Sequence, residues 1–305
     1  MRILRTPDER FFGLADFPYR PQYADVPDGD GDGGRLRMAY VESGPGDGPP
    51  VLLLHGEPSW SFLYRKVIAV LADAGLRAVA VDLVGFGRSD KPAEPGDHSY
   101  ARHVEWVRCL AFDALDLREV TLVGQDWGGL IGLRLVAEHP DRFTRVVAAN
   151  TGLPTGDQDM PEVWWHFRRA VERADTLDVA RFVQSGCRTT LPAEVRRAYD
   201  APFPDESYKA GPRAMPSLVP TAPDDPATEA NRAAWRALSE WRKPFLVAFS
   251  DGDPITGGMA PILQKAVPGA RGRDHPTIEG AGHFLQEDAG ERLGQVTADF
   301  VLGRL

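Results

Sequence analysis

The chain places an aspartate where a tight turn would hold its side chain out toward a reacting partner. Residues Thr121-Leu122-Val123-Gly124-Gln125-Asp126-Trp127-Gly128-Gly129 lie between an apolar, β-type run and a helical one. Glycines at 124 and 128 allow the chain to crowd itself there and keep the intervening carboxylate exposed. A carboxylate is a poor acyl-transfer nucleophile, but it can displace a leaving group from an sp3 carbon and form an alkyl ester. The pattern therefore points to carbon–halogen or epoxide substrates and away from ordinary esters. Capping of the following helix would also use an Asp, but it explains neither the glycines nor a matching acid and histidine downstream.

Hydrolysis of such an ester needs a base and a group to orient it, in the chain order nucleophile, acid, histidine. His283, in Gly280-Ala281-Gly282-His283-Phe284, is the candidate base, because small residues before it let its loop approach the turn. Asp253, in Ser250-Asp251-Gly252-Asp253-Pro254, is the candidate acid, with Asp251 its competitor. Asp253 is preferred because it sits farther along the loop and Pro254 restrains the backbone after it. His98, His103, His139, His166 and His275 lack such context and read as surface or packing residues.

These residues need elements to position them. Pro50–Gly56 is a continuous apolar run of the kind found in parallel strands covered on both faces. Helical spacing follows over Ser61–Ala74, a strand over Leu76–Leu83 and a helix over Tyr100–Leu115. Val120–Gln125 is the next strand, Trp127–Glu138 the helix leaving the turn, and Phe143–Asn150 another strand. Arg35–Glu42 reads as an antiparallel strand, with its partner before a glycine-rich turn at Asp28–Gly34. That turn resembles a calcium loop only superficially, since the bidentate Glu and the spacing of an EF-hand are missing. After Asn150 the alternation stops. Helical stretches at Glu162–Arg173, Asp178–Gly186 and Ala193–Asp200 come among many prolines. A helix at Ala227–Trp241, a strand at Pro244–Ser250, a helix near Ala260–Ala266, a short strand near His275–Glu279 and a final helix from Phe284 complete the pattern.

Strand–helix alternation of this kind predicts an α/β protein with a mostly parallel, doubly wound sheet. The turn at Asp126 is the nucleophile elbow of an α/β-hydrolase fold, with Asp where most relatives carry Ser. Residues 1–152 and 223–305 are expected to form the core, and residues 153–222 a helical cap over the carboxyl ends of the strands. In this fold the loop His55-Gly56-Glu57-Pro58-Ser59-Trp60 supplies one backbone N–H of an oxyanion hole and the residue after the nucleophile the other. Those donors would be the amides of Glu57 and Trp127. The Glu57 side chain reads as a buried, hydrogen-bonded carboxyl.

Taken together, His55-Gly56-Glu57-Pro58-Ser59-Trp60-Ser61, Asp82-Leu83-Val84-Gly85-Phe86-Gly87-Arg88-Ser89-Asp90-Lys91-Pro92, Gly124-Gln125-Asp126-Trp127-Gly128-Gly129 and Gly280-Ala281-Gly282-His283-Phe284 resemble the haloalkane dehalogenases. The segment Ala201-Pro202-Phe203-Pro204-Asp205-Glu206-Ser207-Tyr208 is also similar to that family, so the likeness covers roughly residues 20–300. The branch with its acid after the later strand fits best, because the other acid position holds Asn150-Thr151-Gly152. The resemblance implies two halide-binding N–H donors: Trp127 after the nucleophile, and a Trp on a cap helix. Trp164 is chosen over Trp165 for the second, since it shares a helix face with Phe167. An indole N–H donates one hydrogen bond and carries no charge, so it can stabilise a departing halide without trapping it. Fluoroacetate-type enzymes would carry Arg after the nucleophile, where Trp127 stands. Epoxide hydrolases share the elbow and use cap tyrosines, for which Tyr199 and Tyr208 are the candidates. A non-catalytic protein of this fold is a third reading, disfavoured because all three catalytic positions are filled.

Composition narrows the setting. The 305 residues are 43% hydrophobic and 26% charged, with a net charge of −9. That balance fits a globular domain and argues against nucleic-acid or anionic-membrane partners. Two cysteines, Cys109 and Cys187, exclude a disulfide scaffold and suit a reducing compartment; Cys109 reads as a buried thiol. No signal-peptide core and no apolar run of about 20 residues is present. The expectation is a cytoplasmic monomer, with no metal or organic cofactor, whose partners are a small apolar halogenated substrate, water and a halide ion.

Overall fold

Leu52, Leu53 and Leu54 have no alternating polar partner, and such a run is stable only with both faces covered. In the computed structural model, which describes residues 1–305, these residues are fully buried near the middle of a seven-stranded sheet. The strands are β1 (Pro21–Pro27), β2 (Arg35–Ser43), β3 (Pro50–Leu54), β4 (Arg77–Val81), β5 (Val120–Gln125), β6 (Phe143–Ala149) and β7 (Phe245–Val247). Their spatial order is β1-β2-β4-β3-β5-β6-β7. Strands β3 to β7 pair in parallel, while β2 runs antiparallel to both β1 and β4. The arrangement is the mostly parallel, helix-covered α/β sheet expected from the sequence. A small sheet of Ile3–Leu4 with Lys91–Pro92, too short to show in the sequence pattern, ties the N-terminus to the core.

The helices are α1 (Arg65–Asp73), α2 (Tyr100–Arg108), α3 (Trp127–Glu138), α4 (Glu162–Arg173), α5 (Val179–Ser185), α6 (Ala193–Asp200), α7 (Ala210–Leu218), α8 (Thr228–Leu238), α9 (Met259–Ala266) and α10 (Leu285–Val301). Four of them, α4 to α7, fill the chain between β6 and α8. Asp178 caps α5 by accepting from Arg181 N–H, and Pro161 and Pro192 precede the first turns of α4 and α6, as suits residues that cannot continue a helix backward. α10 packs along α1, where Arg65 pairs both nitrogens with the Glu287 carboxylate inside the protein.

Three elements differ from the sequence reading. The helix from Tyr100 keeps α geometry only to Arg108 and then widens over Cys109–Ala114, with Leu115 N–H reaching Leu110 C=O. The strand near His275–Glu279 is reduced to one parallel bridge between Ser250 and Ile278. Pro276 has no N–H to give a ladder, and His275 Nδ1 instead accepts from the edge amide of Val247. Helix α7 was hidden by Pro212 and Pro216: the first sits in the opening turn, where no donor is lost, and the second lies inside the helix.

Candidate active site

The candidate residues gather at the carboxyl ends of the parallel strands. Asp126 follows β5 at φ +52°, a left-handed conformation that costs energy for a residue with a side chain. The turn is enforced from below. A Cβ on Gly128 would stand 1.9 Å from Leu54 C=O, and one on Gly56 would stand 2.3 Å from Asp126 Cβ. No other residue fits either place. The amide of Asp126 donates to Asn150 C=O, and Thr151 Oγ1 donates to Asp126 C=O, so β6 braces the elbow.

The two carboxylate oxygens of Asp126 face different groups. Oδ1 accepts the Glu57 amide at 2.9 Å. Oδ2 lies 3.4 Å from His283 Nε2. His283 Nδ1 is 3.1 Å from Asp253 Oδ1. Asp253 is itself held by the amides of Ile255 and Thr256 and by the Thr256 hydroxyl. The competitor Asp251 is exposed, accepts from Ala281 N–H and does not touch His283. The Trp127 amide, expected as a second donor, makes no hydrogen bond to the carboxylate.

Charge is arranged around the imidazole. Burial disfavours its protonated form, yet the Asp253 charge and hydrogen bonding to Asp126 and Asp253 outweigh burial and raise His283 to about 10. Burial would likewise raise Asp253, but the facing imidazolium and the hydrogen bonds at its oxygens hold it below the usual carboxylate range. Glu57 goes the other way. Burial and the nearby Asp126 charge push it well above the ordinary value. The carboxyl is buried as expected, but its Oε1 has no hydrogen-bond partner.

These groups open on a cavity of about 970 Å3, walled by Trp127, Leu130, Trp164, Phe167, Phe182 and Phe284 among others. The indoles of Trp60, Trp106 and Trp235 each donate to a backbone carbonyl. Those of Trp127 and Trp164 line the cavity and meet no protein acceptor. Trp165 does not line it; its ring stands edge-on against Trp164 at 4.8 Å and is only half-buried. No tyrosine reaches the cavity. Tyr199 spends its hydroxyl on Glu287, within the Arg65 pair, so the acid an epoxide would require is missing. Of the histidines set aside, His98 and His103 stack on each other in the core, and exposed His166 lies at the cavity wall.

In the sequence, Asn150 marks only the absence of an acid at its position. Its Nδ2 donates to Ser250 Oγ and to the carbonyls of Gly282 and His283, while its Oδ1 accepts Ser250 N–H. It thereby ties together the ends of the strands before Asp126 and Asp253 and the loop at His283. The one sequence signal was an Asn, a residue that tolerates positive φ, at the end of an apolar strand; its φ is +39°.

Residues 49–290 match the model of the alpha/beta hydrolase fold family. The chain is 54% identical to a haloalkane dehalogenase of Psychrobacter cryohalolentis over 301 residues, 99% of this chain and 98% of that one. It is 53% identical to haloalkane dehalogenase 1 of Mycobacterium tuberculosis over 97% of each chain. The chain belongs to the haloalkane dehalogenase family. Among solved structures, the tetrameric haloalkane dehalogenase DpaA from Paraglaciecola agarilytica NO2 superposes with a TM-score of 0.89, at 37% identity and 97% coverage of both chains. The enzyme is a hydrolase acting on carbon–halide bonds, and no helix in it is long and apolar enough to cross a membrane.

Proposed function

We propose that this dehalogenase works through an alkyl ester of Asp126. Oδ2 attacks the halogen-bearing carbon in line, the carbon–halogen bond breaks, and the halide departs with its electron pair toward the N–H groups of Trp127 and Trp164. His283, oriented by Asp253, then takes a proton from water. The resulting hydroxide equivalent attacks the ester carbonyl, whose oxygen is Oδ1. The Glu57 amide bonds that oxygen and the Trp127 amide joins it as negative charge develops. Collapse releases the alcohol and regenerates the carboxylate, and a proton leaves with the halide.

The observation that carries this reading is the division of labour at Asp126: one oxygen anchored on a backbone amide and the other facing the base. The two indoles without protein acceptors support the halide assignment. Residues 153–222 act as the cap that keeps bulk water from the ester. The steps need no metal or organic cofactor. A cytoplasmic monomer is part of the same proposal, supported by two free cysteines and by the small number of exposed large apolar side chains.

The test is His283→Phe with 1-bromobutane and 1,2-dibromoethane, beside styrene oxide. Bromide should be released in a single turnover, and mass spectrometry should find the alkyl group on Asp126. Steady bromide release in that variant, or diol from styrene oxide without any bromide, would overturn the proposal.

A further inference from the structure

The imidazole of His283 has a neighbour that the mechanism above does not use. Gln125, the last residue of β5, is fully buried, and its Nε2 lies 3.2 Å from His283 Nε2 and 3.2 Å from His283 C=O. The carbonyl decides how the amide is turned. Were the two amide ends exchanged, Oε1 would face a carbonyl oxygen, acceptor against acceptor. One N–H of Gln125 therefore donates to the His283 carbonyl, and the other points at Nε2. Its Oε1 is left buried without a partner, a cost the fold tolerates to keep this orientation.

An N–H aimed at Nε2 is satisfied only when that nitrogen carries a lone pair. The Asp126 carboxylate, 3.4 Å away, makes the opposite demand. Asp253 Oδ1 lies 3.1 Å from Nδ1, and the Glu57 carboxyl, pushed well above its ordinary range, lines the same cavity from the loop after β3. The balance at Nε2 thus lies between Gln125 and Asp126, and ester formation removes the Asp126 charge. We propose that Gln125 is a positioning residue for the base: its amide stabilises the unprotonated imidazole once Asp126 is alkylated, and so serves hydrolysis rather than alkylation. At 3.2 Å the bond is long enough to yield to the attacking water.

This rests on His283 being the base, which the trapped ester of His283→Phe tests separately. Gln125→Met keeps the shape and loses the donor. Rapid-quench kinetics with 1,2-dibromoethane should show the bromide burst within about twofold of wild type. Hydrolysis should be at least about tenfold slower, and its pH midpoint should move up by about one unit. An equal fall in both steps, or an unchanged midpoint, would overturn the proposal. If the methionine variant fails to fold, Gln125→Glu decides. Its carboxylate would accept from a protonated Nε2, so the midpoint must rise, and a midpoint equal to wild type would again overturn the proposal.

Discussion

Neutralising Asp126 should release the proton from His283. In the resting enzyme the imidazole lies between two carboxylates, and these hold it near 10 against the penalty of burial. Asp126→Asn removes one charge while keeping the shape, and so mimics the charge change that the proposed alkylation would bring. At an effective dielectric of about 20, unit charges 3.4 Å apart attract by about 5 kcal/mol, or roughly 3.6 pKa units. The Asp126 side chain is 20% exposed, so water screens part of this and a fall of about 2 to 3 units is expected. That would carry His283 down toward its ordinary range and make it a competent base at neutral pH. The assay is an NMR titration of labelled histidine, with the His283 signal assigned by its loss in His283→Phe. Stability should report the same coupling. A folded-state pKa above the unfolded value of about 6.5 contributes stability that is full below that pH and is lost as pH rises to about 10. Wild type should therefore weaken over that window in denaturant titrations, and Asp126→Asn should weaken less. A His283 titration in the variant within about half a unit of wild type would refute the reasoning.

Trp164→Phe should weaken bromide binding by about 10- to 150-fold, the value of one hydrogen bond to a charged partner at about 1.5 to 3 kcal/mol. Trp165→Phe should leave it nearly unchanged, because that ring does not line the cavity. Halide quenching of tryptophan fluorescence measures both, and a loss in Trp165→Phe equal to or larger than that in Trp164→Phe would refute the assignment. Asn150→Asp replaces a donor to the Gly282 and His283 carbonyls with an acceptor. It should cost at least about 2 kcal/mol in urea unfolding, with hydrolysis slowed by the displaced base; an unchanged unfolding midpoint would show that the brace is dispensable.

The parts of the molecule visible in the sequence are those where local chemistry decides. The bounds of α3, α4 and α6 coincide with the helical patterns because the elbow at Asp126 and the prolines at 161 and 192 end other possibilities on the spot. Asp126, Asp253 and His283 stood out because glycines, a strand end and small residues mark the turns that present them. Helix α7 failed to stand out for the converse reason: its two prolines are local signals against helix, and packing outweighs them.

Gln125 and Asn150 differ in kind from these cases. One lies inside the elbow motif and the other at the alternative acid position, yet neither carries a mark of its task in the sequence. Both act on the loop at His283, 158 and 133 residues away in the chain. Both act partly through its backbone carbonyls, which any residue would supply. A motif marks side chains whose types the chemistry demands. It carries no mark for the groups that hold those side chains through peptide oxygens, because the held atom has no identity in the sequence. The support of His283 therefore becomes visible only when three strand ends are brought together. It is also there that the balance between a protonated and a free imidazole is set, by an amide on one side and a carboxylate on the other.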